Sequence, residues 1–392
     1  MILFFWFSLF IIFYAFIGYG IVLFFLVRLR RFFIGKRSIR FDVKDTLPSC
    51  TLIVAAYNEE DFIEAKIKNT LALNYPKEKI SFLFITDGST DKTSEIISRY
   101  PAIKLMGSLV RRGKIAAVQR AVANVTTETI VFTDANTFLN ADALIKLCRH
   151  YAGPKVGAVA GEKRVHVDEK SDATAGEGFY WKYESKLKVW DSELNSVVGA
   201  AGELFSVKTA LYESVHPKSI IDDFMISMLI AQKGYRIVYE PEAYATETSS
   251  ANIKEELKRK IRIAAGGLQS IIWLKSLLLP FKQPLLSFQY ISHRVLRWTV
   301  VPFLMITTLI LNIAIVIQTQ LLIYQLILTA QVLFYLLAIS GWVLEKQQIK
   351  IKALFVPYYF GVMNYAVIAG IFRYLFGEQS AAWEKSKRKK NG

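Results

Sequence analysis

Cysteine and histidine are scarce in this chain: two cysteines, Cys50 and Cys148, and four scattered histidines in 392 residues. That excludes a disulfide framework and leaves no zinc-ligand spacing. A reducing compartment is consistent with it. Charge is missing from residues 1–27, which are otherwise apolar. No basic segment precedes that run and no small-x-small cleavage site follows it, so it reads as a retained anchor rather than a signal peptide. Internal repeats and low-complexity linkers are lacking. Acidic residues are absent from the apolar stretches near the C-terminus, which argues against a coupled transporter.

What is plentiful is apolar surface and positive charge. Hydrophobic residues make up 53% and the mean hydropathy is +0.30, with the apolar runs gathered at the two ends. The net charge is +16. Much of the excess flanks apolar segments: Arg28, Arg30, Arg31, Lys36, Arg37 and Arg40 after the first, and Lys385 to Lys390 near the end. Basic flanks mark the cytoplasmic side of membrane spans and the anionic lipid surface. A membrane partner therefore explains the charge better than nucleic acid does.

The expected organisation follows. Residues 1–28 form an N-terminal transmembrane anchor, long enough to cross a hydrocarbon core of ~30 Å. Residues 29–267 form a cytoplasmic α/β domain, and 268–298 amphipathic helices at the membrane surface. Residues 299–376 supply two or three C-terminal spans, and 377–392 a basic tail. If all three span, the tail ends outside, against its charge; a re-entrant last helix removes the conflict.

Between Ser49 and about Val207, short apolar runs alternate with amphipathic stretches. That pattern predicts a largely parallel sheet with helices on both faces. Such sheets bind ligands at the carboxyl ends of their strands. Three polar clusters fall there: Tyr57-Asn58-Glu59-Glu60, Asp87-Gly88-Ser89-Thr90-Asp91, and Asp134-Ala135-Asn136. Asp134 and Asn136 are two apart on an extended segment, so both can face one ligand, and a hard divalent cation wants such oxygen donors. Each cluster has a plainer reading as a turn or helix cap. Asp222-Asp223 suits the start of a helix on dipole grounds alone. Arg111-Arg112-Gly113-Lys114 is no P-loop, because no glycine stands five before Gly113 and Ile115 replaces the Ser/Thr.

The order of these segments carries a resemblance. From Leu52-Ile53-Val54-Ala55-Ala56-Tyr57-Asn58-Glu59-Glu60 through Thr86–Asp91, Arg112-Gly113-Lys114, Asp134-Ala135-Asn136, Gly199–Glu203, Asp222-Asp223 and Arg259-Lys260-Ile261-Arg262, the chain resembles the membrane-bound family 2 glycosyltransferases. That superfamily includes the cellulose, chitin and hyaluronan synthases. The resemblance covers about residues 49–267 and implies a GT-A-type nucleotide-diphospho-sugar transferase domain. It implies that Ala56, Tyr57 and Glu59 hold base and ribose, that Asp87 contacts the nucleobase, and that Lys114 lies near the nucleotide. Asp134, with Asn136, would hold Mg²⁺ or Mn²⁺ on the diphosphate. Asp223 would be the catalytic base, and Arg262 would sit near the leaving diphosphate.

The implied reaction is inverting, metal-dependent transfer from a nucleotide-sugar, with a UDP-sugar favoured, to a lipid-linked or glycan acceptor. Cell-surface polysaccharide or glycolipid synthesis is the implied setting, with a membrane partner subunit as a further expectation. Three departures bear on this. Asn136 replaces the usual second aspartate and removes one anionic ligand. Asp222 replaces the usual Glu. Ile263 replaces the tryptophan that stacks on the growing chain in polymer synthases, which counts against a processive synthase with coupled export. Trp181 or Trp190 could offer an acceptor platform, against the plainer reading of both as packed helix aromatics. The rival from another class is a non-catalytic membrane subunit that binds nucleotide-sugars, and retention of Asp223 and Arg262 argues against it.

Overall fold

The computed structural model describes residues 1–35, 47–166, 174–248, 253–347 and 351–377. Lys36, Arg37 and Arg40 of the expected basic cluster and the basic tail from 378 onward lie outside the described residues.

Among the described residues, eight strands form one sheet: β1 Cys50–Ala56, β2 Ile80–Thr86, β3 Lys104–Met106, β4 Thr129–Asp134, β5 Thr137–Leu139, β6 Val156–His166, β7 Leu204–Lys208 and β8 Arg236–Thr248. Their order is β3-β2-β1-β4-β7-β6-β8-β5. β1 alternates strictly between two cores. Ile53 and Ala55 join one, while Cys50, Leu52, Val54 and Ala56 join the other. A strand buried on both faces reads as a near-continuous apolar run, which the Cys50–Ala56 segment is apart from the buried Thr51. The helices Lys114–Val122 and Asp222–Gln232 pack on the first face, and Glu60–Leu71 and Ala143–Cys148 on the second. Cys50 and Cys148 are free thiols buried in that second core.

The sheet is mixed where the sequence pattern predicts one largely parallel. β3, β2, β1 and β4 are parallel, as are β6 and β8, but β7 runs antiparallel to both β4 and β6, and β5 antiparallel to β8. The reason lies in the connections. Only Ala135 and Asn136 separate β4 from β5, and a parallel crossover needs a dozen residues or more. β7 enters through the turn Gly199–Gly202 on the ligand side of the sheet, so it must run back. β8 runs for 13 residues because it continues past a register shift opposite Gly161 and Glu162. A side chain at Gly161 would come within 2.8 Å of the Ala243 carbonyl.

Among the described residues, four helices are long and apolar enough to cross a membrane: Ile2–Ile34, Val301–Thr319, Leu322–Lys346 and Ala353–Leu375. The chain is a membrane protein on that ground. The first contains a π-helical turn at Tyr14–Gly18. It packs on the charged helix Thr174–Leu194, where Tyr183 donates to the Phe16 carbonyl at 2.8 Å and Tyr19 donates to Asp191. The last of them lies against the basic helix Ile253–Trp273 in a small cluster of Ala264, Val367 and Ile371. Gly370 allows the close crossing, since a Cβ there would stand 2.7 Å from that of Ala264. Segment 268–298 buries Ile271, Leu274, Leu277, Leu286 and Tyr290 in the α/β core while Leu279, Phe281 and Leu285 stay exposed.

Candidate active site

Parallel register brings the candidate residues level. Ala56 pairs with Thr86 and Ala55 with Asp134, so Tyr57, Asp87 and Asp134 emerge side by side at the strand ends. Asp87 is buried, and its Oδ2 accepts from the backbone N–H groups of Arg112 (2.9 Å) and Gly113 (2.6 Å). Those bonds draw the Arg111–Lys114 loop over the end of β2. Gly88 permits the approach, because its φ is +69° and a Cβ would fall 2.8 Å from the Arg111 nitrogen. The Arg111 guanidinium covers the Tyr57 ring at 4.0 Å. Ala56, Tyr57, Asp87 and Arg111 line a small recess. Within it, the buried Asp87 Oδ1 has no hydrogen-bond partner among the described residues. A buried acceptor left unmade is costly and calls for a donor.

Lys114 joins that recess to a larger cavity of about 670 Å³, and the two share its side chain. Asp134, Asn136, the Gly199–Gly202 turn, Glu203, Asp222, Asp223, Arg259 and Arg262 all line the larger one. The Lys114 Nζ lies 2.6 Å from Asp134 Oδ1. Burial opposes its charge, but Asp134 and Asp222 hold it protonated well above the ordinary lysine range. Asp223 stands in the first turn of Asp222–Gln232. Burial and the neighbouring Asp222 push its carboxyl up to about 7, against the pull of Lys114. Burial draws Arg262 below its ordinary value, while Asp222 and Asp223 pull the other way.

The glycine turn sets the wall opposite the strand ends. Gly199 has φ +81°, and a Cβ there would stand 2.1 Å from the Phe224 ring; one at Gly202 would stand 3.2 Å from the Asp223 carboxylate. Beneath the Asp134–Asn136 turn, Lys66 is fully buried and donates to Thr133 Oγ1 (3.0 Å) and the Thr137 carbonyl (2.7 Å). Beside the turn, Lys163 pairs with Glu203 at 2.5 Å and with Glu247, and Arg259 approaches both acids at 3.7 Å. Burial raises the Glu203 carboxyl, but Lys163 and Arg259 outweigh it and hold the group well below the usual range.

Among the described residues, no cluster of three or more His, Cys, Asp or Glu could cage a metal. One carboxylate and one amide, both oxygen donors at the cavity wall, fit a hard cation that keeps its waters and takes other ligands from phosphates.

Eight of the nine sequence-derived residues thus reach the two connected cavities. Glu59 lines neither; it is buried at the start of Glu60–Leu71, and its N–H donates to Thr93 Oγ1 at 2.8 Å. Trp181 and Trp190 part company. Trp181 lines the large cavity, with Lys260 over its ring at 5.5 Å, whereas Trp190 packs on Phe24 of the first apolar helix. Sequence reasoning missed Lys66, Lys163, Lys188 and Arg294. Charged residues on amphipathic stretches ordinarily face water, so nothing in their spacing singled them out.

A solved mannosyltransferase from Pyrobaculum calidifontis, in complex with GDP-Man and Mn²⁺, superimposes with a TM-score of 0.70 at 23% identity, covering 95% of this chain and 99% of that one. The fold is therefore of the GT-A type, with attached apolar helices. Residues 51–214 match the Glycosyl transferase family 2 profile, so the α/β domain is similar to that family. It is also similar to polysaccharide synthases. The poly-β-1,6-N-acetyl-D-glucosamine synthase of Staphylococcus aureus strain MSSA476 is 27% identical over 268 residues, 64% of this chain and 62% of that protein. The Staphylococcus epidermidis synthase is 26% identical over 233 residues, 57% of this chain and 55% of its own length. The chain matches less than two thirds of these relatives' length.

Proposed function

We propose that this protein transfers a sugar, with inversion, from a nucleotide-diphosphate sugar to a lipid-linked or glycan acceptor at the cytoplasmic face of a membrane. The observation that carries the reading is one cavity lined by Asp134, Asp223 and Arg262, with the Tyr57–Asp87 recess joined to it through Lys114. The base of the donor, a UDP-sugar in this reading, occupies the recess, where Asp87 Oδ1 accepts from a base N–H. Ala56 and Tyr57 wall that recess, and Glu59 acts through the turn it anchors. The diphosphate lies toward Lys114, Asp134 and Asn136.

Asp134 and Asn136 would hold Mg²⁺ or Mn²⁺, which supplies charge neutralisation for the leaving diphosphate when bound. Lys114 and Arg262 add fixed positive charge on the same side, where it counts most as negative charge grows on the leaving oxygen. Asp223 accepts the acceptor hydroxyl's proton as that oxygen forms its bond to the anomeric carbon. A carboxyl near pH 7 suits that task, being both deprotonated and basic enough. One displacement needs no covalent nucleophile, in keeping with a single base.

A second reading, a processive polysaccharide synthase, is favoured by the names of the staphylococcal relatives. Ile263, where the polymer synthases carry tryptophan, counts against it. The test is product length: incubation with radiolabelled donor and gel filtration of the product. One added sugar supports single transfer, and a polymer supports the synthase.

A further inference from the structure

The large cavity holds more cations than the donor needs. Ten Lys or Arg side chains and six carboxylates line it, and most of the cations are matched. Lys114 pairs with Asp134, Lys163 and Arg259 with Glu203, Lys258 with Glu255, Lys260 with Glu256, and Arg297 with Glu184. Of the four left, Arg262 faces Asp222 and Asp223 and Arg373 lies in the last turn of the last apolar helix; Lys188 and Arg294 likewise have no carboxylate partner within ion-pair distance among the described residues. Each meets an aromatic face instead, Lys188 over Tyr239 at 5.2 Å and Arg294 over Trp298 at 5.5 Å. The Arg294 Nε is buried and without a hydrogen-bond partner among the described residues. The two cations repel each other. Glu162, Glu184 and Glu203 offset the Lys188 charge only from beyond ion-pair distance, and the short contacts of Glu184 go to Arg297 and to His293 Nε2 at 3.2 Å. Two like charges kept together in a partly dry cavity are costly unless an anion joins them.

The wall beyond these cations is largely apolar and comes from the membrane-length helices: Phe16 of the first, and Phe355, Phe360, Met363 and Val367 of the last, interrupted by Asn364 and Arg373. An anion site next to such a wall fits an amphiphile and suits a free glycan poorly. We infer that the acceptor is a sugar carried on a lipid through a phosphate, with Lys188 and Arg294 holding the phosphate. The chain runs along the helix Ala353–Leu375 and the sugar reaches toward Asp223. This rests on the sugar-transfer reading and names its acceptor class. In the step itself, the acceptor oxygen forms a bond to the anomeric carbon and the bond from that carbon to the diphosphate breaks. The electron pair leaves with the nucleoside diphosphate, and the acceptor's proton passes to Asp223.

The experiment uses the full chain in detergent. Nucleoside diphosphate release is measured with three acceptors bearing the same sugar: a long-chain polyprenyl diphosphate carrier, a water-soluble phosphate ester and a neutral oligosaccharide. Wild type is compared with Lys188→Gln, Arg294→Gln and the charge-conserving Lys188→Arg. The expected result is a KM lowest for the lipid carrier, raised about tenfold or more by either Gln variant, with donor KM unmoved and Lys188→Arg close to wild type. A neutral oligosaccharide used as well as the lipid carrier would overturn the inference while leaving sugar transfer intact. So would Gln variants that shift donor KM instead. Equal use of the soluble ester and the lipid carrier would remove the chain from the account. Absence of donor binding in the wild type would instead sink the transfer reading on which the inference stands.

Discussion

Lys114 Nζ lies 2.6 Å from Asp134 Oδ1, and the two are about equally accessible, at 23% and 21%. The pair bridges the helix Lys114–Val122 and the end of β4, and it joins the two cavities. Replacing Lys114 by Met leaves Asp134 unneutralised and removes a fixed charge beside the diphosphate. The expected loss in kcat/KM is about 10²-fold, measured by steady-state nucleoside diphosphate release.

Asn136 gives the metal position one neutral ligand where a carboxylate would bind more tightly. Ligand charge tunes the affinity of oxygen sites for divalent cations. Asn136→Asp is therefore expected to lower the Mn²⁺ concentration for half-maximal activity by about tenfold. A metal titration of both proteins at fixed donor reads this directly.

Burial and Asp222 set the Asp223 carboxyl at about 7. Only the deprotonated form can accept a proton, so activity rises with pH up to about 7 and levels off above it. Below that point the rate falls about tenfold per pH unit. Asp223→Asn removes this limb together with about 10²–10⁴-fold of the rate. A pH–rate profile of wild type, with single-turnover measurement of the variant, checks both.

Lys66 contributes a dependence of stability on pH. Burial lowers its amine to about 7, against the pull of Asp134, while an unfolded lysine titrates near ~10.4. Folding thus favours the neutral amine. The sign is that stability present above pH ~10 is lost progressively as pH falls toward about 7. Lys66→Met flattens that slope in thermal melts between pH 7 and 10. It also removes the donor to Thr133 and Thr137, so activity falls although the fold is retained.

Gly199 has no room for a side chain, with φ +81° and Phe224 at 2.1 Å from a built Cβ. Gly199→Ala is expected to cost about 3 kcal/mol or more. It displaces the helix that carries Asp223, and the thermal midpoint falls along with activity. Gly113→Ala is the comparison, because φ is +94° there but no atom lies within 4 Å of the added methyl. That variant bears backbone strain alone and loses less.

Much of the site was legible because strand ends are local features. An apolar run closed by polar residues marks each of β1, β2 and β4, and parallel register then makes Tyr57, Asp87 and Asp134 neighbours. The acidic start of Asp222–Gln232 was readable in the same way. The direction of β7 was not, since a short apolar strand has the same composition in either orientation. β5, three residues long, gives no periodic signal at all. Lys66 sits among the polar positions of an amphipathic helix yet is fully buried, and only the fold shows that the β4–β5 turn takes up its amine. Lys188 and Arg294 are separated by more than a hundred residues, and the packing of helix Thr174–Leu194 on segment 284–298 brings them to one wall.

The central claim is metal-dependent sugar transfer with Asp223 as base, and release of nucleoside diphosphate tests it most directly. Purified protein is given a panel of UDP- and GDP-sugars with membrane lipid extract, with Mg²⁺ or Mn²⁺ and with chelator, alongside Asp223→Asn. The account predicts release from one donor, abolished by chelator and lost in the variant while donor binding persists. Release that is indifferent to chelator and unchanged in Asp223→Asn would contradict it.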